Sequence, residues 1–66
     1  MEHSVENYLQ RLSTEELVTF LWWCLQMSAW DRYEYMIPQI IDLLQKRDDS
    51  VPKQILEAWH TYRKNK

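Results

Sequence analysis

Sixty-six residues pass without a single glycine. Glycine reaches positive φ at no steric cost, so β-hairpins, phosphate-cradling loops and close backbone approaches to a ligand lean on it. Its absence leaves helices joined by short polar turns as the structure this chain can build. It also means that helix ends must close on Asn, Ser, Asp or Arg where glycine is the usual cap.

The apolar residues divide into four helical stretches. Ser4 is placed to cap a short first helix over about residues 4–12, with Val5, Tyr8, Leu9 and Leu12 at helical spacing. Ser13-Thr14-Glu15-Glu16 reads as a capping box that opens a second helix over 14–27. Ser28, with Asp31 three residues on, reads as a looser cap for a third helix over 29–47. Asp48-Asp49-Ser50 marks the clearest turn, and Ser50-Val51-Pro52 opens a fourth helix over 51–64, with proline at its start.

Pro38 is the difficult residue. Inside a helix it removes one hydrogen bond and crowds the carbonyl four residues back, that of Glu34. The apolar phase nonetheless carries across it: Trp30, Tyr33 and Ile37 share a stripe with Ile40, Ile41 and Leu44, while Pro38 falls with Asp42 and Gln45. The pattern predicts one helix kinked near Pro38, or two nearly collinear pieces.

Leu17 to Leu25 is apolar at eight of nine positions. At 100° per residue the apolar arc of this second helix spans about 260°, against the roughly 100° stripe of a surface helix. Only Glu15, Thr19 and Gln26 lie between Trp22 and Trp23. A helix of that kind is either surrounded by its own domain or shared with a partner. The expected core is Leu17, Leu21, Cys24, Leu25, Trp30, Ile37, Ile41, Leu44, Ile55, Leu56 and Trp59. The expectation is one all-α domain over residues 1–66, a small bundle of three main helices plus a short N-terminal one.

Charge and cysteine usage narrow the class further. A net charge of −2 hides an asymmetry: residues 1–31 carry five acids and one base, residues 32–66 five acids and seven bases. One cysteine excludes an intrachain disulfide, and Cys24 lies on the most apolar line of its helix, as an inert core thiol would. The opening Met1-Glu2-His3-Ser4 lacks the basic region of a signal peptide, and no apolar run approaches a membrane span. A cytoplasmic setting is the expectation.

No catalytic constellation stands out. Glu57-x-x-His60 has di-metal spacing but sits on the polar face of its helix and has no second copy in the chain. One cysteine and two scattered histidines are too few for zinc, and Asp48-Asp49 lacks the glycine and glutamate of a calcium loop. Neither enzyme chemistry, a metal, a cofactor nor a small-molecule substrate is expected.

Four tryptophans and four tyrosines are the dense resource. Trp22 and Trp23 cannot both be buried against one neighbouring helix, and Tyr35 points away from the Ile37–Ile41–Leu44 stripe. An exposed patch of Trp22 or Trp23 with Tyr35 would suit protein–protein contact. The expected function is therefore a non-enzymatic interaction module that forms a homodimer or serves as accessory to a larger partner. The alternative is a small nucleic-acid-binding regulator using Lys53, His60, Arg63 and Lys64 on the basic fourth helix. Glu57 stands among those cations and would repel phosphate.

Overall fold

A computed structural model describes residues 3–48 and 50–65, which form four helices and, among the described residues, no strand. They are α1 (His3–Arg11), α2 (Thr14–Gln26), α3 (Ile37–Asp48) and α4 (Lys53–Lys64). The central element is α2, which packs against α3 and α4, while α1 lies on α3.

The start of α2 is written in its first residues. The Glu16 amide donates to Ser13 Oγ at 3.1 Å, and the Ser13 amide donates to Glu16 Oε1 at 2.8 Å. Two amides that a helix start leaves orphaned are thereby satisfied, and both halves of the expected capping box are present. Leu17, Leu21 and Cys24, one line along the helix, are fully buried. Removing a leucine of that kind from water stabilises the fold by about 1.5–3 kcal/mol.

The other end of α2 shows how a chain without glycine stops a helix. Ser28 adopts φ 51°, the left-handed region. The Ala29 amide donates to the Cys24 carbonyl at 2.9 Å and the Ser28 amide to the Leu25 carbonyl at 3.4 Å. These are the two bonds of a Schellman motif, with serine where glycine is customary. Ser28 thus terminates α2, and the expectation that it caps the third helix is corrected: that helix begins nine residues later. Ala29 is buried beside Cys24 in the core.

The predicted kink is also corrected. Residues 30–36 form successive turns, and regular helix starts only at Ile37. Pro38 therefore lies in the first helical turn, where its missing amide proton costs nothing. The apolar phase survives because the turns still advance in helical fashion. The Tyr33 amide donates to the Ala29 carbonyl at 3.2 Å, and the Met36 and Ile37 amides donate to the Tyr33 carbonyl at 2.8 and 3.0 Å.

Two further caps differ from expectation. Ser4 lies inside α1, which already includes His3, and the capping role of its side chain falls outside what is described. At α4 the cap position is Pro52, with no side-chain cap bond. Its carbonyl accepts from the Ile55 and Leu56 amides at 3.0 and 3.1 Å. Ser50 Oγ is buried without a hydrogen-bond partner among the described residues. Of the expected turn, Asp48 closes α3 and Asp49 lies outside the described residues.

The core gathers Leu9 from α1, the buried line of α2, Ala29 and Trp30, then Ile37, Ile40, Ile41 and Leu44 of α3, and Ile55 and Trp59 of α4. Leu25 and Leu56, expected among them, are only half-buried and pack against the core from its edge. Leu9, Ala29 and Ile40 join in their place.

Candidate interaction surface

Glu16, Phe20, Trp23 and Met27 follow one another at spacings of four, three and four, so they form a second line along α2, beside its buried one. Among the described residues nothing covers that line fully. Trp23 is 40% exposed and Met27 61% exposed, while Phe20 is half-buried. Helical spacing puts these side chains in register; the turns after Ser28 then bring Tyr33 back onto them.

The result is an aromatic triad. Phe20 and Trp23 stack with ring centroids 6.2 Å apart. Tyr33 meets Phe20 edge-on at 5.2 Å and Trp23 at 5.9 Å. Edge-to-face contacts of this kind contribute about 0.5–1.5 kcal/mol each beyond area burial, so the triad is held in place even though one ring faces water. Beyond it, Trp23 and Met27 border a shallow depression with Asp31 and Arg32.

On the other side of Phe20 the surface opens into a groove of about 370 Å³ between α1, α2 and α3. Its walls are Tyr8, Leu9, Leu12, Leu17, Phe20, Met36 and Ile40, and among the described residues Glu16 is its one carboxylate. Tyr8, 59% exposed, stands at its edge. Phe20 belongs to both groove and triad, which makes the apolar face continuous from Tyr8 to Met27.

The aromatic residues singled out from the sequence are not all on this face. Trp23 is at its centre. Trp22, one position earlier, is half-buried against the core. Tyr35 is 62% exposed, and its backbone carbonyl accepts from Gln39 Nε2 at 2.9 Å; the ring partners of Trp23 are Phe20 and Tyr33, not Tyr35. Phe20, Tyr33, Met27, Met36 and Tyr8 went unremarked as site residues. The four-three-four spacing after Glu16 is the signal for two of them, Phe20 and Met27.

The basic residues of α4 are arranged differently. Lys53, His60, Arg63 and Lys64 are all exposed. The Arg63 guanidinium lies over the Trp59 ring, 5.9 Å from its centroid, and Trp59 stacks on Tyr62 at 5.5 Å. Tyr62 in turn donates to Glu34 Oε2 at 2.9 Å. Arg63 is thus committed in part to packing, and Glu57 is exposed among the cations.

Burial pushes the Cys24 thiol up to about 11, because no nearby group compensates the charge a thiolate would carry there. Among the described residues no three of His, Cys, Asp and Glu converge on a common point, and no helix is long and apolar enough to cross a membrane. No protein-family model, curated protein or solved structure matches this chain.

Proposed function

We propose that this protein is a small non-enzymatic module that works by protein–protein contact in a cytoplasmic setting, as a homodimer or as accessory to a larger partner. The observation that carries the reading is the uncovered line Phe20–Trp23–Met27 with Tyr33 and Tyr8 around it. Large apolar side chains clustered on one face, with a polar rim, mark interaction surfaces more often than solvent-facing ones. A tryptophan held by two ring neighbours is already ordered, so little side-chain entropy is lost when a partner covers it.

Light scattering after size-exclusion chromatography, at two protein concentrations, tests the self-associating form directly. A concentration-dependent dimer that Trp23→Ser and Met27→Ser abolish would place the contact on this face. A monomer at both concentrations, unchanged by either substitution, would leave only the accessory form, in which the occupant is a different protein.

A further inference from the structure

We infer that α1 is a hinged lid: it undocks as one piece at Leu12–Ser13, leaves α2, α3 and α4 folded, and so sets how much apolar surface the protein shows. This goes beyond the protein-contact reading and stands without it.

The lid is held at few points. Among the described side chains of α1 only Leu9 is fully buried, while Tyr8, Gln10 and Arg11 face solvent. Leu9 also borders two openings. One is the groove of about 370 Å³ toward α2; the other is a cleft of about 280 Å³, where Leu9 and Gln10 meet Gln39, Asp42 and Leu43 of α3. A side chain with open space beside it forgoes the contacts that close packing supplies. Leu9 is therefore a single peg.

The latch is polar and wet. Arg47 donates to the Leu12 and Gln10 carbonyls from an exposed position. Water takes over both carbonyls and the guanidinium when α1 leaves, so these bonds hold the lid far less firmly than apolar burial holds the core.

The hinge follows from how α2 begins. Its first amides are satisfied by Ser13 and Glu16, and the Leu17 amide donates to the Ser13 carbonyl at 3.0 Å. Each of these bonds lies on the α2 side of Leu12. On the other side the Leu12 amide donates to the Leu9 carbonyl at 3.1 Å, within the lid's own end. A swing between Leu12 and Ser13 thus costs α2 none of its caps. Once undocked, α1 has nine residues, short of the roughly 12–15 that an isolated helix needs in water, so it melts as it leaves. Leu17 and Ile40, both fully buried when the lid is down, then join Phe20 and Met36 as open surface.

Native-state hydrogen exchange tests the lid, on the isotope-labelled full-length protein at rising urea below the unfolding transition. The amides of Tyr8 to Leu12 are expected to share one opening constant, about tenfold or more above that of Leu21, Leu44 and Ile55, and to respond weakly to urea. Protection that climbs residue by residue toward Leu12 would mean fraying from the chain end and overturn the inference. So would α1 amides that follow Leu44 at every urea concentration. Ser13→Ala removes half of a capping box that is present with the lid docked or open. It should raise the core constant about fivefold and leave the α1 constant unchanged; an equal rise in both would show α1 and α2 opening together, with no hinge between them. Leu9→Ala should raise the α1 constant about thirtyfold or more while the native indole signals of Trp30 and Trp59 persist. Loss of those signals together with α1 would overturn the lid as well.

Discussion

Arg47 Nη1 donates to the Leu12 carbonyl at 2.9 Å, across thirty-five positions of sequence. Its Nη2 donates to the Gln10 carbonyl at 3.1 Å. Both acceptors belong to the end of α1, where carbonyls lack helical partners and carry the negative end of the helix dipole. A guanidinium from the last turn of α3 therefore closes the first helix. Arg47→Ala should lower stability by about 1–2 kcal/mol, at the low end for charged hydrogen bonds because the site is exposed. Arg47→Lys should recover only part, since an ammonium cannot fork between two carbonyls. Urea midpoints measure the loss, and hydrogen exchange should show α1 amides opening first. Equal midpoints for all three proteins would remove Arg47 from this role.

Ser28 holds a conformation that costs a non-glycine residue about 1–2 kcal/mol. Ser28→Gly should raise stability by about 1 kcal/mol, and Ser28→Val should lower it by more than that, because a branched side chain tolerates positive φ worst. Thermal unfolding of the two variants against the parent gives the comparison; a destabilised glycine variant would contradict the Schellman assignment.

Cys24 is expected to be inert to thiol reagents at neutral pH in the native protein and to react fully in denaturant. Its folded value of about 11 stands above the 9.0 of a free thiol. The folded state thus keeps its full stability below pH 9.0. Between there and about 11 the unfolded chain ionises first, and stability should fall by about 2–3 kcal/mol. Cys24→Ala lacks that step, so the difference between the two denaturation curves from pH 8 to 11 isolates it from tyrosine ionisation, which both proteins share.

Trp23 and Trp59 should respond oppositely to truncation. Trp59 is 4% exposed and contacts Trp30 and Tyr62, so Trp59→Ala should cost about 3–5 kcal/mol, enough to unfold a domain of this size. Trp23→Ser loses two ring contacts at the surface and should cost about 1 kcal/mol. Circular dichroism separates them: Trp23→Ser should melt cooperatively with native helicity, and any change should be in binding.

Tyr62→Phe removes the hydroxyl that donates to Glu34 and ties α4 to the turns before α3. A loss of about 1 kcal/mol is expected, with faster exchange of the amides in 33–37. An unaltered exchange pattern would mean that ring packing alone holds this junction.

Where the physics was local, it was legible in the residues. Ser13 and Glu16 are three apart and need nothing else to make their box; Leu17, Leu21 and Cys24 repeat with the helix; Ile55 and Trp59 do the same in α4. Pro38 misled because turns with helical advance preserve apolar phase as well as a helix does. Ala29 carries no periodic signal, being small, and is buried only because Ser28 turns the chain beneath α2. Arg47 gave no sign, since its acceptors are backbone atoms far away in sequence. The surface followed the same division. Trp23 was visible, but the line through Phe20 and Met27 merged into an apolar arc too wide to divide until the positions of α1 and α3 showed which part they cover.

The docking of α1 on α3 also sets an order of events during synthesis. Leu12 leaves the ribosome thirty-five residues ahead of Arg47, an interval of about 2–7 s at 5–20 residues per second. α2 is completed within it, while the helices that pack on α2, and the side chain that closes the helix before it, are still to come. α1 is thus made well before the side chain that clasps its end.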